Sequence, residues 1–358
     1  MLSVLFVLPV SGGSGGAHSV MQEADAMSRF GCPAGIAVNA ANVSRVMATY
    51  RDFPALMERV FSFANPADLA SVIAKQRPSA VVATTNQSVH TLQAAMERVP
   101  ERSSIRVAYY IQDYEPLFYE RDSDEWLQAY QSYTLIPGMV RFAKTRWLQQ
   151  VVEDNHGVPV SKVEPSIDHA VYYPNMQRRL EPPSEITVVA MIRPSTPRRA
   201  PRRTGRILSR IAHEFAARAS CITFGCEKAD LAANSIHTGR AEHLGVLSRQ
   251  EVGRLMRRAD LFLDLSDYQA FGRTAIEAMA CGAVSVVPVH GGVFEFAEHG
   301  RNCLVVDTRH DDEIMAAVRG YFAMSAEERR GMSLAAIEAG FAFNPEKAAL
   351  SEIQCLGL

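Results

Sequence analysis

Short apolar runs alternate with longer helical stretches along almost the whole sequence, and this alternation limits the fold more than any other feature. Each run has the length of a buried strand, and each stretch between two runs has the length of a helix. Strands and helices that alternate in this way form parallel sheets covered by helices. The predicted strands cover residues 4–10, 35–38, 79–83, 106–111 and 140–143 in the first half and 186–191, 220–224, 243–246, 261–265, 284–288 and 304–306 in the second. The sequence therefore predicts an α/β fold built from two similar halves.

A polar segment punctuated by Pro174, Pro182 and Pro183 separates the two halves and is typical of a linker. A chain of 358 residues is long enough for two domains, each with its own core. The predicted domains are residues 1–170 and residues 171–340. Asn344 and Pro345 break the helical pattern near the end, so residues 341–358 are predicted to form a C-terminal helix that crosses back to the first domain.

Composition excludes several classes of protein. Hydrophobic residues make up 47% of the chain and charged residues 21%, which is typical of globular proteins and excludes disordered and fibrous ones. A net charge of −2 argues against a dedicated nucleic-acid binder. The six cysteines lack the paired spacing of metal ligands, so no metal site is expected. The apolar run at residues 2–10 is too short to span a bilayer and has no basic residues before it, so we expect a cytoplasmic protein.

A strand, a polar loop and a helix follow one another between residues 261 and 282. Gly272 closes the loop, and glycine lets the backbone approach a ligand closely. The next helix offers free N–H groups and the positive end of its dipole, which suit a phosphate. Glu277 lies about one turn into this helix, where its carboxylate can accept hydrogen bonds from sugar hydroxyls. The stretch is therefore a candidate ligand site beyond the carboxyl end of a strand.

Five arginines lie in the proline-rich segment after the strand predicted at 186–191, at positions 193, 198, 199, 202 and 203. A guanidinium group binds phosphate oxygens through paired hydrogen bonds, so the segment is predicted to neutralise a diphosphate. We assign this role to Arg193 and Arg198. A solvated basic face is the alternative, and it is the interpretation adopted for Arg202 and Arg203.

Glycine-rich residues 11–16 follow the first predicted strand, but they match neither the dinucleotide spacing nor the P-loop spacing. We interpret them as a loop whose N–H groups meet substrate oxygens, with a surface turn as the alternative. Gln112, Asp113 and Glu115 end another strand among aromatic residues that either frame a sugar ring or pack an interdomain edge. His18 starts the first helix beside the glycines, and a structural role is favoured for it over catalysis.

Four motifs occur in order along the chain. They are Gly15-Gly16-Ala17-His18, Ser166-Ile167-Asp168, Arg193 with Arg198, and Tyr268-Gln269-Ala270-Phe271-Gly272 followed by Glu277-Ala278-Met279-Ala280-Cys281-Gly282. The pattern resembles the GT-B glycosyltransferases of the large retaining, nucleotide-sugar-dependent family. This resemblance implies two Rossmann-like domains with parallel sheets facing a central cleft. It also implies sugar transfer from a nucleoside diphosphate sugar with retention of configuration, without a metal or another cofactor.

The resemblance also implies roles for individual residues. The family pattern is E-x7-E, in which the second acid binds the nucleotide ribose and the first meets the donor sugar. Glu277 stands in the second position, and Gln269 stands where the first glutamate usually is. An amide bonds a hydroxyl but carries no negative charge, which leaves open a changed donor sugar, a slower enzyme or a degenerate one. The predicted donor-binding residues are Gly15, Gly16, Gln269, Ala270, Phe271, Gly272, Arg273 and Thr274, and the predicted catalytic residues are Arg193, Arg198 and Glu277.

Two further positions depart from the family pattern. Arg198 replaces the usual lysine, and Gln112 precedes Asp113 where the family usually has histidine. We place Gln112, Asp113, Glu115 and His18 on the acceptor or sugar side of the site.

The runs at residues 110–119 and 192–199 resemble a subgroup of bacterial rhamnosyltransferases that build surface polysaccharides from dTDP-rhamnose. The expected acceptor is then a saccharide or a lipid-linked saccharide, and peripheral contact with the inner face of the membrane is left open. Two other functions remain as alternatives. One is a nucleotide-sugar epimerase of the same architecture, and the other is a non-catalytic sugar-nucleotide-binding partner of a polysaccharide synthase.

Overall fold

The computed structural model describes residues 3–9, 15–100, 102–180 and 184–358. Residues 11–14 of the predicted glycine loop lie outside the described residues, as do Pro182 and Pro183 of the predicted linker. The chain divides into two compact units, Met1–Ser166 with Phe343–Leu358 and Ile167–Ala342. The chain therefore enters the second unit before the predicted boundary at residue 170. It returns to the first unit after the predicted boundary at residue 340.

The first unit contains a seven-stranded parallel sheet. Its strands are β1 (Val4–Leu8), β2 (Ala34–Asn39), β3 (Val60–Phe63), β4 (Ala80–Ala83), β5 (Arg106–Ile111), β6 (Val140–Ala143) and β7 (Ser161–Lys162). Its first seven helices are α1 (Gly15–Arg29), α2 (Val43–Thr49), α3 (Pro54–Met57), α4 (Pro66–Gln76), α5 (Asn86–Met96), α6 (Asp124–Gln131) and α7 (Arg146–His156). The strand order is β3-β2-β1-β4-β5-β6-β7, and β1 is buried along its whole length between β2 and β4.

The second unit contains a six-stranded parallel sheet. Its helices are α8 (Met176–Leu180), α9 (Pro201–Glu214), α10 (Lys228–Ala233), α11 (Arg249–Arg258), α12 (Arg273–Ala280), α13 (Asp311–Ala323) and α14 (Ala326–Phe341). Its strands are β8 (Ile186–Met191), β9 (Ala219–Phe224), β10 (Glu242–His243), β11 (Leu261–Leu263), β12 (Val284–Pro288) and β13 (Cys303–Val306). The strand order is β10-β9-β8-β11-β12-β13, so both units have the predicted α/β architecture with parallel sheets.

Helix α8 corrects the interpretation of the region after Pro174 as a plain linker. Arg178 and Arg179 lie on α8 and both pair with Asp260, at 2.6 Å and 3.3 Å. Arg179 is 3% exposed and also donates to the backbone oxygen of Cys281 at 3.1 Å. The segment is therefore fastened to the second unit by charged hydrogen bonds whose partners are distant in the sequence.

Several elements differ from the predicted ones. The strand predicted at 243–246 is shorter, because β10 ends at His243 and Val246 is 63% exposed. Strand β3 was not predicted, because only its last residue is buried and its apolar signal is weak.

The last helix, α15 (Pro345–Leu356), belongs to the first unit and packs on α1. Glu23 of α1 and Glu352 of α15 have no exposed surface. Nζ of Lys144 lies 4.0 Å from the Glu23 carboxylate, and the hydroxyl of Ser166 donates to the same group. Burial and the neighbouring Glu23 charge raise the pKa of Glu352 well above its ordinary value.

Candidate functional site

The strand order of the second sheet reverses between β8 and β11, and this places the loops after these two strands side by side. The loop after β8 is the arginine segment, in which Pro197–Arg199 form a 3-10 turn. The loop after β11 is the polar loop closed by Gly272. The backbone N–H of Asp267 donates to the carbonyl of Arg198 at 2.8 Å, and the Arg198 guanidinium lies over the Tyr268 ring at 6.0 Å. The two loops therefore form one surface at the carboxyl edge of the sheet.

Gly272 shapes the start of α12. Its φ of 92° lies in the left-handed region, where a side chain is strained. A Cβ atom at this position would lie 3.2 Å from the Phe296 ring and 3.3 Å from a methyl group of Val293. The glycine therefore allows the tight turn that places the first N–H groups of α12 at the end of β11, where they favour an anion.

Glu277 is buried on α12, with 5% of its surface exposed. Nε of Arg273, one turn earlier, lies 2.7 Å from its carboxylate. Burial raises the pKa of Glu277, while the charges of Arg273 and Arg249 oppose this shift. Arg249 is itself paired with Asp168. The carboxylate of Glu277 is thus held among charged groups, and its oxygens are suited to accept hydrogen bonds from hydroxyls.

Arg193 follows β8 and is half-buried. Burial and the neighbouring charges of Arg199 and Arg198 lower its pKa, while the charge of Glu277 raises it, so the four groups share one electrostatic cluster. Nε of Arg193 is buried without a hydrogen-bond partner among the residues that the structure describes. A buried, unpaired donor is costly unless a ligand satisfies it. Three guanidinium groups beside one carboxylate give the cluster a net positive charge, which suits a diphosphate.

The other two arginines of the segment have different partners. Nη1 of Arg203 pairs with Asp267 at 2.8 Å, and Nε of Arg202 donates to the carbonyl of Asn234 at 3.2 Å. Both line a cavity of about 520 Å³ that also borders Pro194. Arg202 is exposed, which makes it a useful comparison for Arg193 in mutagenesis.

Gln269 is 4% exposed, and its environment is polar. Its backbone carbonyl accepts the N–H of Gly292 at 2.7 Å. Its side-chain Nε2 donates to Asp264 at 2.5 Å and to Ser266 at 3.0 Å. The residue predicted to contact the donor sugar is therefore oriented by a carboxylate that the sequence analysis did not assign.

The remaining predicted donor-binding residues of this loop are mostly packed against the protein. Ala270 and Phe271 are 7% and 8% exposed, and the Phe271 ring meets the Phe296 ring edge to face at 5.6 Å. Arg273 and Thr274 lie half-buried in the first turn of α12. A ligand at this loop would therefore meet the backbone and the start of α12 rather than the side chains of Ala270 and Phe271.

The first unit brings two predicted residues together beside the start of α1. Gly15 and Gly16 are the first residues of that helix, and the Gln112 amide lies so close to Gly16 that a Cβ atom there would clash with it. Within the described part of the chain, Oε1 of Gln112 is buried without a hydrogen-bond partner. The His18 ring packs edge to face on Tyr50 at 5.5 Å. Gln112 thus presents an unpaired acceptor beside the glycines.

Glu115 has other hydrogen-bond partners. Its carboxylate accepts the backbone N–H of Asn86 at 3.0 Å, at the start of α5. Burial raises the pKa of Glu115 to about 7, although the hydrogen bonds from Asn86 oppose the shift. Asp113 accepts the backbone N–H of Tyr114 at 2.9 Å. A carboxyl group with a pKa near neutrality is suited to proton transfer, so Glu115 remains a candidate on the acceptor side.

Two functional candidates were missed by the sequence analysis. Arg249 begins α11 and is 8% exposed, but in the sequence it is one of several arginines on an amphipathic helix. Asp264 directly follows β11 and is 7% exposed. An acidic residue at the end of an apolar strand was a usable signal for Asp264, whereas nothing local in the sequence marks Arg249 as buried.

Among the described residues, no cluster of three or more histidine, cysteine, aspartate or glutamate side chains is arranged to hold a metal ion. In the same part of the chain, no helix has the length and apolar character needed to cross a membrane.

Residues 227–338 match the family described as glycosyl transferases group 1, and the match includes Gln269, Gly272 and Glu277. This segment is similar to the group 1 glycosyltransferases. The matched segment contains β11, α12 and the loop between them, which form half of the candidate site. The arginine segment after β8 precedes it in the chain.

Two curated relatives extend the comparison. The mannosylfructose-phosphate synthase of Agrobacterium fabrum is 44% identical over 63 residues, which are 18% of this chain and 14% of that protein. The O-antigen biosynthesis protein RfbC of Myxococcus xanthus is 28% identical over 206 residues, which are 58% of this chain and 16% of that protein. The chain thus spans less than a fifth of the length of either relative.

Solved structures show the fold of the whole chain. Anabaena Alr3699/HepE in complex with UDP and glucose aligns with a TM-score of 0.77 at 15% identity and covers 100% of both chains. The sucrose-phosphate synthase of Thermosynechococcus elongatus aligns with a TM-score of 0.72 at 14% identity and covers 99% of this chain and 98% of its own. At these identities the likeness concerns the fold, which is that of the GT-B glycosyltransferases.

Proposed function

We propose that this protein transfers a sugar from a nucleoside diphosphate sugar to a saccharide or lipid-linked acceptor. The observation that carries the proposal is the cluster of Arg193, Arg198 and Arg199 with the buried carboxylate of Glu277 beside the start of α12. Positive groups for a diphosphate and an acceptor oxygen for a hydroxyl are the two features that a nucleotide-sugar site needs. The group 1 match and the UDP complexes of Alr3699/HepE support this assignment.

The arginines act on the leaving group in this proposal. As the bond between sugar and diphosphate breaks, negative charge grows on the diphosphate oxygens, and Arg193 and Arg198 stabilise it more in the transition state than in the ground state. The N–H groups at the start of α12 add to this field. Glu277 accepts hydrogen bonds from the nucleotide ribose, and Gln269 contacts the sugar. These guanidinium groups supply the positive charge that the reaction needs, so the proposed mechanism includes no metal.

The finer assignment is a retaining enzyme that uses dTDP-rhamnose in surface polysaccharide synthesis. It rests on the motif resemblance at residues 110–119 and 192–199, and the similarity to the Myxococcus xanthus O-antigen biosynthesis protein supports the polysaccharide role. We place the acceptor beside the first unit, where Gln112 presents its unpaired oxygen and Glu115 has a raised pKa. The proposed location is the cytoplasm, with peripheral contact to the inner face of the membrane when the acceptor is lipid-linked.

Sugar transfer by defined variants tests the proposal. Wild type, Arg193→Ala, Glu277→Ala and the control Arg202→Ala are compared with UDP-glucose and dTDP-rhamnose as donors, and the anomeric configuration of the product is read by NMR. We expect Arg193→Ala to lose about 100-fold in turnover, because it removes one stabilising group from the transition state. Arg202→Ala is expected to match wild type. Turnover at the wild-type level in both Arg193→Ala and Glu277→Ala would contradict the assigned roles.

The same assay distinguishes the proposed transferase from an epimerase. Donor is incubated with the protein in the absence of acceptor, and the sugar is analysed. An epimerised donor sugar contradicts the transferase assignment, whereas unchanged or slowly hydrolysed donor agrees with it.

A further inference from the structure

A buried carboxylate lies directly beside the neutral residue at position 269. Asp264 follows β11 and is 7% exposed. Its Oδ2 accepts a hydrogen bond from Nε2 of Gln269 at 2.5 Å, and its Oδ1 accepts one from the hydroxyl of Ser266 at 2.5 Å. Nε2 of Gln269 also donates to the Ser266 hydroxyl at 3.0 Å. The three side chains form a closed polar cluster at the carboxyl end of the strand.

Two further hydrogen bonds fix the cluster to its surroundings. The backbone N–H of Asp264 donates to the carbonyl of Val286 on β12 at 2.9 Å. The hydroxyl of Thr308 donates to the carbonyl of Ser266 at 2.6 Å. Asp264 is therefore held by the strand and the loop rather than by a flexible surface contact, and it can position a neighbour accurately.

The hydrogen bonds determine which end of the Gln269 amide can meet a ligand. An ionised carboxylate only accepts hydrogen bonds, so the amide nitrogen must face Asp264. The two N–H groups of that nitrogen are used by Asp264 and Ser266. The amide oxygen, which can only accept, is the part left for a ligand hydroxyl.

We propose that Asp264 is the positioning residue of the donor-sugar site, and that it orients Gln269 so that the amide oxygen accepts a hydroxyl of the donor sugar. The inference rests on the proposed function. A glutamate at position 269 would offer the sugar the same kind of acceptor together with a negative charge. Here Gln269 provides the hydrogen-bond acceptor oxygen, and Asp264 next to it provides the negative charge. Two side chains thus supply together what a single glutamate supplies.

This arrangement makes a counterintuitive prediction for Gln269→Glu, which introduces the residue usual in the family. Oδ2 of Asp264 lies 2.5 Å from the Gln269 nitrogen, so the substitution would bring two carboxylates into contact. Like charges at this distance repel strongly in a buried site. The exchange Asp264→Asn with Gln269→Glu restores one amide and one carboxylate in the opposite order, and it should relieve the repulsion.

A double-mutant cycle tests the pairing without any substrate. The free energy of unfolding is measured for wild type, Asp264→Asn, Gln269→Glu and the double variant. Both single variants are expected to be less stable than wild type, and the double variant is expected to be more stable than the sum of the single effects predicts. Strictly additive effects overturn the pairing. Asp267→Asn is the control, because Asp267 lies in the same loop but pairs with Arg203 at the surface.

Kinetics of the same proteins test the role in the reaction. Release of nucleoside diphosphate from UDP-glucose or dTDP-rhamnose is measured with and without acceptor, and kcat and KM are separated. We expect each single variant to lose about 100-fold in kcat and the double variant to recover at least about tenfold of that loss, with Asp267→Asn close to wild type. A Gln269→Glu variant as active as wild type overturns the inference. If wild type neither binds nor turns over any donor, the proposed function fails, and the role of Asp264 toward the sugar fails with it. If wild type is active but the Asp264 and Gln269 substitutions have additive effects on stability, only this inference is overturned.

Discussion

The buried carboxyl group of Glu352 gives a sharp prediction about the stability of the first unit. Its pKa is raised by burial and by the adjacent Glu23, and it is therefore higher in the folded chain than in the unfolded chain. A group of this kind contributes stability that is fully present below its unfolded pKa of about 4.3 and is lost as pH rises through the folded value. Glu352→Gln replaces the carboxyl group by an amide that stays neutral at every pH.

The magnitude follows from proton counting. Between the unfolded and the folded pKa of Glu352, the folded protein binds one proton more than the unfolded chain. The stability of wild type relative to Glu352→Gln should therefore fall by about 1.4 kcal/mol for each unit of increasing pH in this interval. Titrating groups that do not interact with Glu352, Glu115 included, are common to both proteins and cancel in the difference.

Fluorescence-detected urea unfolding at a series of pH values above about 4.3 measures this difference. The chain has two tryptophans, Trp126 and Trp147, and both lie in the first unit, so their emission reports on the unit that contains Glu352. Glu346→Gln is the control, because Glu346 is half-buried on the same helix with 43% of its side chain exposed, and its ion pair with Arg29 is worth less than about 1 kcal/mol. A difference between wild type and Glu352→Gln that does not change with pH would refute the reasoning.

Three further predictions follow from individual contacts. Gly272→Ala should lower the free energy of unfolding by about 1–2 kcal/mol, because its φ of 92° strains a side chain, and chemical denaturation measures the loss. Arg249→Met should cost about 3 kcal/mol in the same assay by leaving Asp168 without its ion-pair partner, and an additional Asp168→Leu substitution should recover most of that loss. The carboxyl carbon of Glu115 should titrate in NMR with a midpoint of about 7, and a midpoint near 4 contradicts the burial argument.

The fold class was predictable from the sequence because buried parallel strands are continuous apolar runs. The strands predicted at 106–111 and 186–191 coincide with β5 and β8, and the α/β fold with parallel sheets is confirmed. Strand β3 lies at the edge of its sheet with partly exposed residues, so its pattern is too weak to recognise. The segment with Arg178 was interpreted as a linker because its partner, Asp260, lies 82 residues further along the chain.

The candidate site was predictable only in part. The strand, the loop and the helix around Gly272 and Glu277 are contiguous, so their pattern can be read locally. The proximity of Arg193 to Glu277 depends on the reversal of strand order between β8 and β11, which the sequence does not encode in any short pattern. The hydrogen bond between Gln269 and Asp264 depends on how the loop folds back on its own strand. This bond sets the orientation of the Gln269 amide, which the sequence alone does not show.

The most direct test of the central claim is equilibrium binding of a nucleoside diphosphate sugar, measured by titration calorimetry on the full chain. UDP-glucose and dTDP-rhamnose are titrated into wild type, Arg193→Ala and Arg202→Ala. The account predicts that wild type binds at least one of these donors, that Arg193→Ala weakens its affinity by about tenfold or more, and that Arg202→Ala leaves it within about twofold of wild type. No binding of either donor to wild type, or equal weakening by both substitutions, contradicts the account.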